Sequence, residues 1–327
     1  MSFVLNSRIS VGPYIFKGVH EVKISKSIYS INNTCTIKVP ITGRLKIKGN
    51  LKLESRMFES NKIFTEGQPV SVELGYNGKL NEEFVGFVRI VDISSPCIIE
   101  CEGYVYQLRK VLVPKSFVNT TLKELLAYII IGTDITLSPN IPDMKIDKFI
   151  IKGQTGAEVL EVLKNEFSLY IFFHNAELFA GLAYTEYKGT VKHRLGWNVI
   201  KDNELKLRDA KNIQVQINLI GVKRDGTKVV VKSGDNTNNI KKKRTHFITD
   251  EATLKMVADK MLAEQKYSGY EGKITTFGFP FVQHGWKTIL EDPRYHGRDG
   301  QYLIDSMEVS YNTNGFRRNL GISIKVG

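Results

Sequence analysis

Cysteine is scarce in this 327-residue chain, tryptophan scarcer still, and no apolar stretch is long. The three cysteines, Cys35, Cys97 and Cys101, are an odd and sparse set, which excludes a disulfide framework. Cys97 and Cys101 fall on a predicted strand, PCIIECEGY, where four residues separate them by about 13 Å at ~3.3 Å per residue. That is too far for a disulfide, or for two ligands on one zinc at about 2.3 Å each. The thiols are read as buried structural groups. The longest apolar run, Leu125 to Ile131, is far below the roughly 20 residues that cross a bilayer. The opening MSFVLNSRISVG has no basic segment followed by an apolar one, so no signal peptide is expected. These absences point to a soluble chain, made in the cytoplasm, with no membrane insertion.

Catalytic motifs are missing too. There is no nucleophile elbow, zinc-protease helix or dinucleotide fingerprint. GVKRDGTK, residues 221–228, spaces Gly221 and Gly226 as a phosphate loop does, but ends in Thr-Lys rather than Lys-Thr. It also lies between two β-like runs, where a phosphate loop must open a helix, so it reads as a hairpin. The six histidines, at 20, 174, 193, 246, 284 and 296, have no ligand-like spacing. The acidic pairs Glu82-Glu83, Glu100/Glu102 and Glu291-Asp292 lie in predicted strands or hairpins. A glycoside-cleaving pair needs carboxyl groups roughly 5–9.5 Å apart in a cleft, which sequence does not show, so a cell-wall hydrolase stays open. No catalytic residue, cofactor or metal is expected.

Positive charge is abundant. Lysine and arginine number 46 against 34 acidic residues, a net charge of +12, which suits nucleic acid, an anionic surface or acidic proteins. The one dense cluster, Lys241, Lys242, Lys243 and Arg244, is placed in a polar loop from Gly234 through Arg244. It is a candidate contact for an anionic partner, either DNA phosphate or an acidic protein patch. It lacks the interleaved aromatics of a stacking surface. A basic nucleic-acid-binding protein is therefore a further alternative.

The chain exceeds the roughly 250–300 residues at which one core stops growing, so two or more units are expected. The first hundred residues alternate like half-buried strands, with Asn77-Gly78 marking a hairpin. After Pro114 the pattern turns helical. Asn119 is the expected cap of a helix whose Leu122, Leu125, Leu126, Ile129 and Ile130 share one face, with Gly132 as its stop. Thr155 and Glu158 have capping-box spacing before a helix with Leu160, Leu163 and Phe167 on one face. A strand pair turns at His174-Asn175. Strands return near Gly189, with a hairpin at Arg224-Asp225-Gly226-Thr227. Thr249 is the expected cap of a third helix, with Leu254, Val257, Ala258, Met261 and Leu262 on one face. The last fifty residues are strands around Asn314-Gly315. The two β-rich ends echo each other: Gly67 precedes the strand at Phe84 by the same 17 residues that separate Gly285 from Tyr302.

The ordered parts resemble a known family. FVGFVRIVDISSPCIIECEGYVYQLRK, SFVNTTLKELLAYII, TGAEVLEVLKNEFSLYIFFHNAELFAGLAY and GQYLIDSMEVSYNTNGFRRNLGISIKV are together similar to phage tail baseplate hub proteins. That family includes the late control D proteins and the N-terminal hub portion of type VI secretion VgrG proteins. The resemblance implies a mainly β fold with an α+β insertion: two related antiparallel β-barrels plus an α/β domain. The expected division is 1–112 for the first barrel, 113–186 with 240–276 for the α/β domain, and 187–239 with 277–327 for the second barrel. It further implies a structural, non-enzymatic virion protein: a homotrimeric ring that adapts a sixfold tail tube to a threefold spike around a channel. The implied partners are a separate central spike protein, tail tube or tube-initiator proteins, and DNA passing through the channel.

Overall fold

The structure, a computed structural model, describes residues 4–44, 46–47, 57–59, 63–181, 188–223 and 225–326. The chain divides into two compact units, one made of residues 1–106, 187–205 and 272–327, the other of 107–186 and 206–271. In chain order, the first unit opens with β1 (Leu5–Val11), β2 (Glu21–Ser27), β3 (Thr34–Val39), β4 (Pro69–Tyr76), β5 (Lys79–Asp92) and β6 (Cys97–Glu102). The second unit contributes β7 (Lys115–Thr121), α1 (Leu122–Ile129), β8 (Lys145–Ile151), α2 (Gly156–Phe167), β9 (Tyr170–His174) and β10 (Glu177–Gly181). The chain returns for β11 (Thr190–Arg194) and β12 (Val199–Lys201). It crosses again for β13 (Gln216–Val222), β14 (Lys228–Gly234), β15 (Ile240–Thr245) and α3 (Glu251–Gln265). It ends through β16 (Gly269–Phe277), β17 (Lys287–Glu291), β18 (Gly300–Asn312) and β19 (Gly315–Lys325).

The first unit is built on one 15-stranded sheet. Its strands alternate as expected: in β2, Val22, Ile24 and Lys26 face the core while Lys23 and Ser25 face out. Asn77 and Gly78, at φ 51° and 80°, form the left-handed pair that a tight hairpin needs. Hydrogen-bonded order gives the unit an internal repeat. The first six strands pair in the order β1-β4-β5-β6-β3-β2, and the last six in the order β11-β17-β18-β19-β16-β12. Numbered within each set, both read first-fourth-fifth-sixth-third-second. One difference is that β1 meets β4 antiparallel, whereas β11 meets β17 parallel.

The repeat extends to single hydrogen bonds. The Gly67 N–H donates to the Val88 carbonyl, and the Val88 N–H returns a bond to the Gln68 carbonyl. The Gly285 N–H likewise donates to Ile304, whose N–H bonds back to Trp286. Both glycines are left-handed, at φ 83° and 78°, a backbone that other residues adopt only with strain. The two sets are joined where β2 pairs antiparallel with β18, from Ser27↔Ser306 to Glu21↔Asn312.

At that junction lies a buried charge cluster. The Arg318 guanidinium makes two bonds to Glu83, at 2.5 and 2.8 Å, with both side chains fully buried. Glu83 sits at a β-bulge: Val72 pairs with Phe84 and Glu73 with Glu82, leaving Glu83 the extra residue. Bulges re-aim side chains in this way, and here both Glu83 and Phe84 turn inward. Lys26 donates to Gln283 Oε1 at 3.1 Å. Burial lowers its ammonium to about 8, against the opposing pull of Glu83.

The second unit departs from the expected division. Residues 206–239, expected in the second barrel, belong here. β13 pairs antiparallel with β14 and parallel with β15, and α3 packs on β13 and β14. The apolar alternation of β13 was visible, but the sheet it joins depends on pairing with a strand that sequence reads as loop. The α1 cap is Thr121, not Asn119. Thr121 and Glu124 form a capping box, and Asn119 is at φ 50° within β7. The α2 capping box of Thr155 and Glu158 is present as expected. Asp250, not Thr249, caps α3 by accepting from the Thr253 N–H, while the Thr249 hydroxyl donates to Asp147. On α3, Leu254, Val257 and Ala258 are buried, whereas Met261 and Leu262 are half-buried. The expected turn at 224–227 falls partly on Arg224, outside the described residues.

Candidate partner-binding face

The basic run is a strand rather than a loop. Residues Ile240–Thr245 form β15, an edge strand in the order β14-β13-β15. Its partner β13 is apolar and supplies the ladder hydrogen bonds, so β15 needs no apolar alternation of its own. Lysines on an edge also discourage further strands from adding there.

Alternation splits the four cations between two faces. Lys241 and Lys243 pair with the buried Ile217 and Leu219 and point to the helical side. Lys241 Nζ donates to Gln265 Oε1 at 2.6 Å. Lys243 Nζ donates to Ser168 Oγ at 3.1 Å and to the Asn165 carbonyl. Burial lowers the Lys243 ammonium, against Glu166 and Glu264. Nearby Lys260, itself buried, lies 3.9 Å from the Tyr170 ring centre and pairs with Glu264. Two of the four candidate residues are therefore tied to α2 and α3.

Lys242 and Arg244 lie on the outer face, both exposed. Register aligns them in rows across the sheet: Lys232, Asn218, Lys242; then Val230, Ile220, Arg244; then Lys228 beside Val222. Lys228 and Lys232 are exposed and were not singled out from sequence, although the spacing in KVVVKSG puts both on one face. Among the described residues none of these four cations has an ion pair with a carboxylate. Val230 is 50% exposed, and Ile220 and Val222 are half-buried. Asn218, 8% exposed, has its Oδ1 buried without a hydrogen-bond partner among the described residues. Such a group costs about 1–3 kcal/mol when left unsatisfied. At the Val222 end an open cavity of about 750 Å³ is lined by Lys148, Lys223 and His246, with Asp147 as its acidic member.

Several of the other candidates are held by partners within the fold. Glu83 is paired with Arg318; Glu102 is held by Arg89 and Asn32; buried Asp292 accepts from Arg294 and Arg298. His193 is buried, its Nδ1 2.7 Å from Thr288 Oγ1, and burial pushes it down to about 4 with Arg318 adding to the shift. The three cysteines are buried free thiols, Cys35 directly opposite Cys101, and burial raises all three pKa values. Gly221 and Val222 end β13, and residues 226–227 lead into β14. The Lys223 N–H bonds the Thr227 carbonyl, a hairpin with no helix to hold phosphate. Among the described residues no cluster of three or more His, Cys, Asp or Glu is arranged to hold a metal, and no helix is long and apolar enough to cross a membrane. In the first unit an apolar groove of about 300 Å³ is lined by Tyr76, Trp197, Phe277 and Phe279, with Trp197 81% exposed.

No protein-family model and no curated protein matches the chain. Solved structures do. The 43 kDa tail protein of prophage MuSo2 from Shewanella oneidensis is 14% identical, with 98% of each chain covered and a TM-score of 0.66. A tail protein from Neisseria meningitidis MC58 is also 14% identical, with 97% of this chain and 96% of that one covered and a TM-score of 0.67. This is a phage tail-protein fold. The tail-protein fold also covers 99% of this chain, and 77% of the other, in the E. coli c3393 protein, a type VI secretion component similar to T4 bacteriophage tail proteins gp27 and gp5. That match is 11% identical with a TM-score of 0.60. The mainly β fold expected from the resemblance is thus present.

Proposed function

We propose that this chain is a structural, non-enzymatic hub of a phage or phage-derived tail baseplate. Three copies form a ring around a channel, and the ring joins a sixfold tail tube to a threefold, separate spike. The observation that carries this reading is the repeated strand order in the first unit. β11-β17-β18-β19-β16-β12 returns on itself through the bridge between Leu195 and Val199, which supports a closed barrel. Its counterpart, β1-β4-β5-β6-β3-β2, has the same order, which supports a second barrel of the same design. Closed cyclic assembly repeats each contact about its axis, so three chains with two like barrels each offer six similar positions to a tube and three to a spike.

The solution mass, by light scattering or native mass spectrometry with and without a candidate spike protein, tests this. A trimer, alone or with the spike, is the expected result. A strictly monomeric chain at high concentration in both settings would overturn the hub. Peptidoglycan degradation by the purified chain would favour the cell-wall enzyme instead.

A further inference from the structure

We propose that the outer face of sheet β14-β13-β15 docks an acidic amphipathic helix of a partner protein. This goes beyond the hub reading and does not depend on the ring. α3 packs on β13 and β14, on the side of the buried Ile217 and Leu219, whereas Lys228, Val230, Lys232, Lys242 and Arg244 on the other side are exposed. That outer face mixes three apolar side chains with four exposed cations.

The face specifies its occupant. Val230, Ile220 and Val222 form an apolar strip, and Lys228, Lys232, Lys242 and Arg244 surround it with no carboxylate among them. Strands about 4.8 Å apart make three strands roughly 10 Å wide, close to the 10–12 Å diameter of a helix. An apolar stripe on that helix fits the strip, and glutamates or aspartates beside it reach the flanking cations. Asn218 lies between Lys232 and Lys242 in the same row and is itself buried. The cavity beside Val222 adds Lys148 and Lys223, with Asp147 opposing them.

Nucleic acid fits this face less well. Phosphates need only the cations and would leave Val230 and Ile220 against water. Among the described residues the face has no aromatic side chain for base stacking.

The test uses the full chain and three fluorescent probes: an 18-residue helical peptide with a leucine stripe flanked by glutamates, a scrambled peptide of the same composition, and an 18-base-pair DNA duplex. The striped peptide is expected to bind at least tenfold more tightly than the scrambled one. Lys242→Glu with Arg244→Glu should weaken it more than tenfold, and Val230→Asp more than fivefold. All three changes are at exposed positions, so unchanged melting curves establish that the variants fold. Equal binding of the two peptides, or no effect of Val230→Asp, would overturn the proposal. Tighter binding of the duplex than of the striped peptide would assign the face to nucleic acid. The solution mass of the same variants reports on the ring separately, so failure of either reading is visible by itself.

Discussion

Arg318 and Glu83 meet in a two-point ion pair from strands 235 residues apart in sequence, with neither side chain open to solvent. Removing both charges from water is costly, and the pair is favourable only if its remaining donors are also satisfied. They are: Arg318 also donates to the carbonyls of Gly278 and Val282, at 3.1 and 3.3 Å. The pair therefore bonds the first strand set to the second through polar contacts as well as through the β2–β18 ladder.

Truncating one partner should be far worse than replacing both. Arg318→Met is expected to destabilise the fold by about 3–5 kcal/mol, because Glu83 stays buried and uncompensated. Glu83→Leu combined with Arg318→Met should cost less than the sum of the single changes. The carbonyls of Gly278 and Val282 still lose their donor, so recovery will be incomplete. Arg318→Lys should rescue little, since an ammonium lacks the planar fork. Urea unfolding of these variants and of Glu83→Leu alone, which completes the double-mutant cycle, measures this.

Acid should weaken the fold before carboxylates are titrated. His193 is held near 4 in the folded chain, against about 6.5 in an open one. As pH falls, the unfolded chain takes the proton first. The contribution of His193 is whole above pH 6.5 and is lost as pH falls to 4, on the order of 3 kcal/mol in all. Urea midpoints across pH 7 to 4 should decline with a slope that His193→Gln reduces.

The caps separate two residues that sequence alone would confuse. Asp250→Ala should destabilise by about 1 kcal/mol through loss of the α3 cap. Thr155→Ala should cost a similar amount at α2. Asn119→Gly should be neutral or mildly stabilising, because Asn119 is left-handed and caps nothing. Thermal melts of the three variants check the order.

Salt should promote self-association into the proposed ring. Three copies carry three times the +12 of one chain, and like charges repel within a Debye length of about 8 Å at physiological ionic strength. The trimer fraction is expected to rise between 50 and 500 mM salt, or on addition of an acidic partner. Light scattering across that series reads it, and a falling mass would mean that opposite-sign pairs dominate the contacts.

Much of the fold was legible because it follows local rules. The Asn77-Gly78 hairpin, the Thr155/Glu158 capping box and the apolar faces of α1 and α2 depend on a few neighbouring residues. The echo around Gly67 and Gly285 was also visible, although its sequence spacing differs from its structural form. The hydrogen bonds tie Gly67 to Val88 but Gly285 to Ile304, so the two connecting segments differ in length. What stayed hidden depends on distant pairing. Lys241–Arg244 has no apolar alternation and becomes a strand only because β13 lies beside it. Lys228, Lys232 and Asn218 join that face through register, not through adjacency. Glu83 reads as one more hairpin acid until the bulge turns it inward toward Arg318.

The stitching of β2 to β18 sets an order of events during synthesis. At about 5–20 residues per second, Arg318 leaves the ribosome's active site roughly 10–50 s after Glu83. Throughout that interval β2 has no β18 to pair with, and Glu83 has no cation to turn toward. The early strands must wait with an open edge, the kind of surface on which nascent chains pair with one another. The closing strands thus make the first strand set safe as well as complete, and a chaperone that shields open edges would have its longest task here.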